Sequence, residues 1–445
     1  MPESRPQEPP EPGGGARRPG GPGRDTLVLC GARLTDGRTA DVRIGGGRIE
    51  AVGPAGSLSA PPPAGAARID LAGYLLLPAP AEPHAHYDTA LTADRAAPQP
   101  HPPAPPSARG SGGPRRPGAL RRRAVQAALV QLGHGATAVR THVRIGGAAG
   151  LRALEAVLGA RSALRGLVDL TAVAVPRVLT GAAGAEELAM LRDAVGMGAA
   201  AVGGCPDLDP DPAGHVRAVL ETAAEHGCAV DLHTGGADPA RLSRLAAMAG
   251  DLRSEVAVGP CDGLARLPRE AAARAAEALA AAGVAVVCLP QGGCGPSGRA
   301  ADGSRTAPVR LLRAAGVRVA AGSGALRDAA NPVGRGDPLE AAYLLASHGH
   351  AGPGAAYEAV STRARRILGL PEVRIEAGFP AELLAVRGDT LAGALSLACS
   401  RLVVHRGRVV ARTSAVREYR DPAGAGGPEG PAGSAGPGLP RQSQR

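Results

Sequence analysis

Two kinds of hydrophobic pattern divide this chain. Residues 25–53, DTLVLCGARLTDGRTADVRIGGGRIEAVG, alternate short β-type runs with the turn signals TDG and GGG, which predicts a small β-meander. FPAELLAVRG and ACSRLVVHRGRVVAR, within 379–412, have the same character. These two segments, far apart in sequence, are expected to pair into one sheet built from both ends of the chain. The middle of the chain is different. Short β-branched or small apolar runs recur there: TAVRTHV (137–143), VDLTAVAVP (168–176), AAAVGGCP (199–206), CAVDLHT (228–234), SEVAVGP (254–260), VAVVCLP (284–290) and VRVAAGS (317–323). Between them lie Ala/Leu/Arg segments with helical periodicity, such as HVRAVLETAAEHG and PREAAARAAEALAAAG. Counting the apolar run that ends near residue 83, eight strand candidates are each followed by a helix candidate. That repetition predicts an α/β fold, a (β/α)8 TIM-like barrel.

The expected domain layout follows from these patterns. A β domain takes its N-terminal part from 25–78 and its C-terminal part from 374–420, around a barrel at 79–373. Residues 1–24 and 421–445 are rich in Gly, Pro and Ser and read as disordered tails. One Pro-rich insertion, 95–118, interrupts the barrel after its first strand and has no apolar periodicity.

Composition removes several chemistries. All 50 basic residues are Arg, so a Schiff-base lysine, a P-loop lysine and a carboxylated lysine bridging two metals are excluded. The net charge of +10 invites a nucleic-acid reading, but the arginines are scattered among acids and the chain has only five Tyr, one Phe and no Trp for base stacking. No specific nucleic-acid partner is expected. Seven cysteines at irregular spacing form no CxxC pair, which suits reduced thiols. The N-terminus lacks the apolar core of a signal peptide, and no apolar run approaches the roughly 20 residues of a membrane span. A cytoplasmic protein with no membrane partner is expected, its oligomeric state left open.

The chemistry concentrates at EPHAHYDTALTA, residues 82–93. His84 and His86 are two residues apart, so on a strand both imidazoles face one way and can address one metal ion. They can also be ordinary polar residues at a strand end. His348 and His350 repeat the HxH spacing but fall in a loop after a helix, where a surface role is expected. Ser323 within GSG fits neither GxGxxG nor GxSxG, so no nucleophile is assigned to it.

With the strand-1 motif, the ordered series GATAVRTHV, DLTAVAVP, AVDLHTGGADP, NPVGRGDPLEAAYLL, GFPAELLAV and RLVVHRGRVV resembles the amidohydrolase superfamily, and within it the cytosine deaminase-like branch. The resemblance covers about residues 25–413. It implies hydrolysis of non-peptide C–N bonds in a small-molecule substrate. It also implies one divalent metal, zinc or iron, on His84, His86 and His233, with activated water as nucleophile and carboxylates carrying its protons. The family's strand-5 glutamate falls at Gly236, its strand-6 histidine at Pro260 and its strand-8 aspartate at Gly324. Arg177 stands where the family has a substrate-contacting glutamine. His142, in RTHV, either faces the pocket as a substrate contact or is a hydrogen-bonded core residue. Asp238, Cys261 and Asp262 are nearby substitutes for the lost acid and base, whereas Asp328 matches a separate acidic position of the family. The implied outcome is an amidohydrolase with a partial metal site and reduced or lost standard activity. The alternative is a pseudoenzyme barrel that binds a small ligand or a protein partner without turnover.

Overall fold

A computed structural model describes residues 26–58, 67–93, 117–250, 252–292, 306–397 and 400–416. Both tails, Cys294, Cys399 and all but the end of the Pro-rich insertion lie outside these residues.

The described residues form two sheets. The first joins the ends of the chain: β1 (Leu27–Arg33), β2 (Thr39–Gly45), β3 (Arg48–Pro54), β4 (Ala67–Asp70) and β5 (Tyr74–Pro78) combine with β14 (Leu383–Arg387), β15 (Arg401–His405) and β16 (Arg408–Thr413). The link between the halves is the antiparallel pairing of β5 with β14, Leu76 opposite Ala385. Its inner face packs Leu29, Val42, Ile44, Leu76, Leu383 and Val404 into a separate apolar core.

The second sheet is the barrel. Its parallel strands run in chain order: β6 (Ala81–Ala85), β7 (Ala138–Arg144), β8 (Asp169–Val175), β9 (Ala201–Gly204), β10 (Ala229–Thr234), β11 (Val256–Pro260), β12 (Ala285–Cys288) and β13 (Val319–Ala321). The ring closes through a parallel bridge between Ala85 and Gly324, just past β13. The expected (β/α)8 architecture and the composite sheet are both present.

Side-chain alternation sorts each strand. In β7, Val139 and Val143 turn outward to the helices, while Arg140 and His142 turn inward. In β10, Val230 and Leu232 turn outward, and Asp231 and His233 inward. Burying each outward Val or Leu stabilises the barrel by about 1.5–3 kcal/mol. Three outer helices begin at Asp-Pro steps: α4 (Pro212–His226), α5 (Pro239–Ala249) and α8 (Pro338–Ser347). In each, the Asp side chain accepts backbone N–H groups of the first turn and Pro takes the first helical position. The small sheet is tied to the barrel by a buried bidentate pair, Arg401 Nη1 and Nη2 on Asp337 at 2.8 and 2.6 Å.

Among the described residues no helix is long and apolar enough to cross a membrane. Cys30, Cys205, Cys228, Cys261 and Cys288 are free thiols.

Candidate metal centre

At the C-terminal end of the barrel the inward positions of three strands converge. His84 on β6, His86 just past it, His142 on β7 and His233 on β10 each offer a ring nitrogen, and these four atoms lie within 4.8 Å of one another. The His86 and His233 Nε2 atoms are 3.4 Å apart. His84 and His142 are buried, His86 and His233 half-buried. The structure thus adds His142 to the cluster of the three histidines singled out from sequence. No carboxylate or thiol among the described residues joins that group.

Electrostatics keep these rings neutral. Burial, and then the neighbouring imidazoles, hold His84 and His142 well below the ordinary histidine range. Burial takes His86 down to about 4, with Asp88 opposing, and His233 down to about 3. Neutral imidazoles keep lone pairs for a metal. Neither ring nitrogen of His84 or of His142 has an aligned hydrogen-bond partner, although both residues are buried. Leaving a buried polar atom unmade costs about 1–3 kcal/mol. Four such rings facing one another fit a divalent cation of the zinc type.

Carboxylates stand near the cluster, each with a partner on at least one oxygen. Asp231 pairs with Arg140 from across the barrel, Oδ2 to Nη1 at 3.2 Å, and its Oδ1 lies 3.3 Å from His142 Nε2. Burial raises the Asp231 carboxyl against the pull of Arg140. Asp88 accepts from Arg144 Nε at 2.7 Å. Its burial alone would raise it, but the Arg144 charge outweighs that and holds it below the ordinary range. Glu82 is sealed under His84, and burial pushes it up to about 7 against hydrogen bonds from Ser323 and the His84 N–H. The Ser323 hydroxyl donates to Glu82 and receives Gln131, which in turn accepts from the Tyr87 hydroxyl at 2.6 Å. Ser323 is therefore a buried link between β6 and the end of β13. Gly322 makes this approach possible, since a Cβ there would stand 2.5 Å from Glu82 Oε1 and 3.3 Å from His84 Cβ.

None of the other residues picked from sequence adds a ligand atom to the group of four histidines. Gly236 has φ +68, and a Cβ on it would point at Leu264 and Leu242, 3.3 and 3.4 Å away. Pro260 ends β11, and Gly324, at φ +67, provides only backbone. Asp238 caps α5 through Ala240 N and Arg241 N and pairs with Arg241 on the surface. Cys261 is fully buried in the apolar core, where burial pushes its thiol far above the ordinary range. Asp262 opens the short 3-10 turn Asp262–Arg266. Arg177 is exposed after β8, its backbone N–H on Glu187 at 3.2 Å. Asp328 accepts from Thr89 Oγ1 at 2.7 Å and from the N–H groups of Ala330 and Asn331. His348 and His350 lie beyond α8 with their rings 6.3 Å apart. Sequence reading missed Asp231, Arg140, Asp88, Arg144 and Glu82. The i, i+2 spacing to each histidine was the available signal for Glu82, Asp88, Arg140, Arg144 and Asp231.

Comparison with known proteins decides the family. The amidohydrolase family model matches residues 112–411, more than half of the chain. The chain belongs to the amidohydrolase family. Pterin deaminase of Rhizobium rhizogenes is 28% identical over 307 residues, spanning 65% of this chain and 68% of that protein. N-isopropylammelide isopropyl amidohydrolase of Pseudomonas sp. strain ADP is 25% identical over 317 residues, 67% of this chain and 74% of that protein. Among solved structures, N-isopropylammelide isopropylaminohydrolase from Burkholderia multivorans matches this amidohydrolase with a TM-score of 0.73 and 29% identity, covering 87% of this chain and 98% of that one. The 5-methylcytosine deaminase of Klebsiella pneumoniae shares the fold, with a TM-score of 0.76 over 88% of this chain and 100% of that one at 23% identity. The chain is thus an amidohydrolase of the cytosine deaminase-like branch in fold.

Proposed function

We propose that this chain binds one divalent metal, zinc or iron, through His84, His86 and His233. We further propose that its hydrolysis of non-peptide C–N bonds is strongly reduced or lost. The observation that carries this is the pairing of a converged histidine cluster with proton-carrier positions that hold only Gly236, Pro260 and Gly324. Among the described residues each nearby carboxylate is already paired or enclosed through at least one oxygen. Asp88 is held ionised by Arg144, Asp231 is tied to Arg140, and Glu82 is sealed beneath His84. A metal held by His84, His86 and His233 with one position open would supply Lewis-acid polarisation and activation of water. Without a carboxylate to move protons between water and the leaving nitrogen, general acid–base assistance of about 10²–10⁴-fold is forfeited.

The names of the relatives point to small, nitrogen-rich ring compounds as the ligand class, and no role for nucleic acid or membrane is proposed. Arg177, exposed at the barrel mouth side of β8, is the candidate contact for an acidic or carbonyl-bearing ligand. The same observation supports a second reading, a cytoplasmic pseudoenzyme that holds such a ligand, or a protein partner, without turnover.

The test is hydrolysis of pterin, cytosine and N-isopropylammelide by purified protein whose metal content is measured in the same preparation. Rates at least about 100-fold below those of an active family member are expected. Turnover matching an active member, and abolished by His84→Ala, would overturn the proposal.

A further inference from the structure

We infer that His142 is the fourth ligand of a closed, all-histidine metal site, taking the place of the strand-8 carboxylate whose position is Gly324. This rests on the metal-binding reading above and deepens it.

His142 sits inside the group as fully as the other three rings. Its centroid lies 4.1 Å from that of His84, 4.4 Å from His233 and 5.4 Å from His86. The distances among the other three are 5.1, 4.6 and 5.1 Å, so His142 stands within about 0.5 Å of the same spacing. A tetrahedral zinc with Zn–N bonds of about 2.0–2.1 Å places its nitrogens about 3.3–3.4 Å apart. The His86–His233 pair already stands at 3.4 Å, and all four ligand atoms lie within 4.8 Å of one another.

The chemistry of His142 is that of a ligand in waiting. It is 1% exposed, and neither ring nitrogen makes an aligned hydrogen bond. Its nearest polar neighbours are the Asp231 carboxylate, with Oδ1 3.3 Å from Nε2, and the Ala85 carbonyl. Donation from one ring nitrogen to either neighbour fixes the tautomer and leaves the other nitrogen its lone pair, the usual outer-shell arrangement around a metal-bound histidine. Arg140 holds Asp231 from the opposite side, so the carboxylate stays beside His142.

The strand-8 side has no competitor. Gly324 carries no side chain, and its bridge to Ala85 brings that backbone against β6. Four protein nitrogens fill a tetrahedral shell, which is the pattern of structural sites; catalytic sites keep a position open. Closure by His142 and the loss of the acid and base positions then describe one change, from a hydrolytic centre to a metal-holding one.

The experiment loads the full-length protein with Co(II), reads the visible d–d absorption and titrates with azide. An intense four-coordinate spectrum that azide does not alter is expected for the native chain. His142→Ala should open the site, so that azide shifts its bands. Its Co(II) affinity should fall by more than the roughly 10–100-fold that loss of an outer-shell partner costs. Azide-shifted bands in the native chain, which need no variant to observe, would overturn the inference while leaving metal binding intact. So would a folded His142→Ala variant that binds Co(II) as tightly as the native chain. A native chain that takes up no Co(II) would sink the metal-binding reading itself and this inference with it.

Discussion

Two halves of the barrel mouth have fared differently. On β6, β7 and β10 the histidines project from strands, or from the residue directly after one, and sheet register fixes where they point. Of the positions matched to the family's acid and base, Gly236 and Gly324 lie two and three residues past β10 and β13, and Pro260 is the last residue of β11. A strand residue cannot be re-aimed without breaking a ladder that the whole barrel shares. A loop residue is less constrained, and at Gly236 the left-handed φ turns a would-be side chain toward Leu264 and Leu242. On the function proposed above, ligand geometry outlasts proton-transfer geometry in this chain.

The comparison can be broken first at its rigid half. Asp231→Ala leaves Arg140 charged and buried with the Ile367 carbonyl but no counter-charge from Asp231, and the fold should lose about 3–5 kcal/mol. Urea unfolding of the variant measures this; a loss under about 1 kcal/mol would mean the cross-barrel pair does not organise the strand side.

The loop half is sharpened by Gly236→Glu. Simple restoration of the family residue is expected to cost about 1–3 kcal/mol, because φ +68 disfavours a Cβ and the new side chain points into apolar packing. It should not raise hydrolysis of cytosine or pterin, and a gain in rate measured with metal-loaded protein would show that the loop had not been rebuilt.

The smallest effect is expected at Asp238. Its side chain caps α5, so Asp238→Ala should lower stability by about 1 kcal/mol and leave zinc affinity unchanged. A drop in zinc affinity would return Asp238 to the site.

Most of the fold was legible in the sequence because periodicity reports burial locally. Eight short apolar runs alternating with helical segments need no knowledge of distant partners, and the shared β character of the two chain ends was enough to expect one sheet, though not the β5–β14 pairing that joins them. The candidate site was only partly legible. His84 and His86 announce themselves by spacing, whereas the place of His142 depends on how β7 sits beside β6. That pairing carries a register shift between Glu82 and Ala85. The Arg140–Asp231 pair joins strands that are not neighbours in the sheet, so no local pattern reveals it. Asp238 shows the reverse error, where position near a lost glutamate suggested chemistry and the following Pro239 already marked a helix cap.

Metal content tests the central claim most directly. Purified protein loaded with zinc and freed of excess metal should retain about one ion per chain, and His84→Ala should retain clearly less. A native chain that keeps no zinc, or a His84→Ala variant that keeps as much as the native chain, would contradict the account.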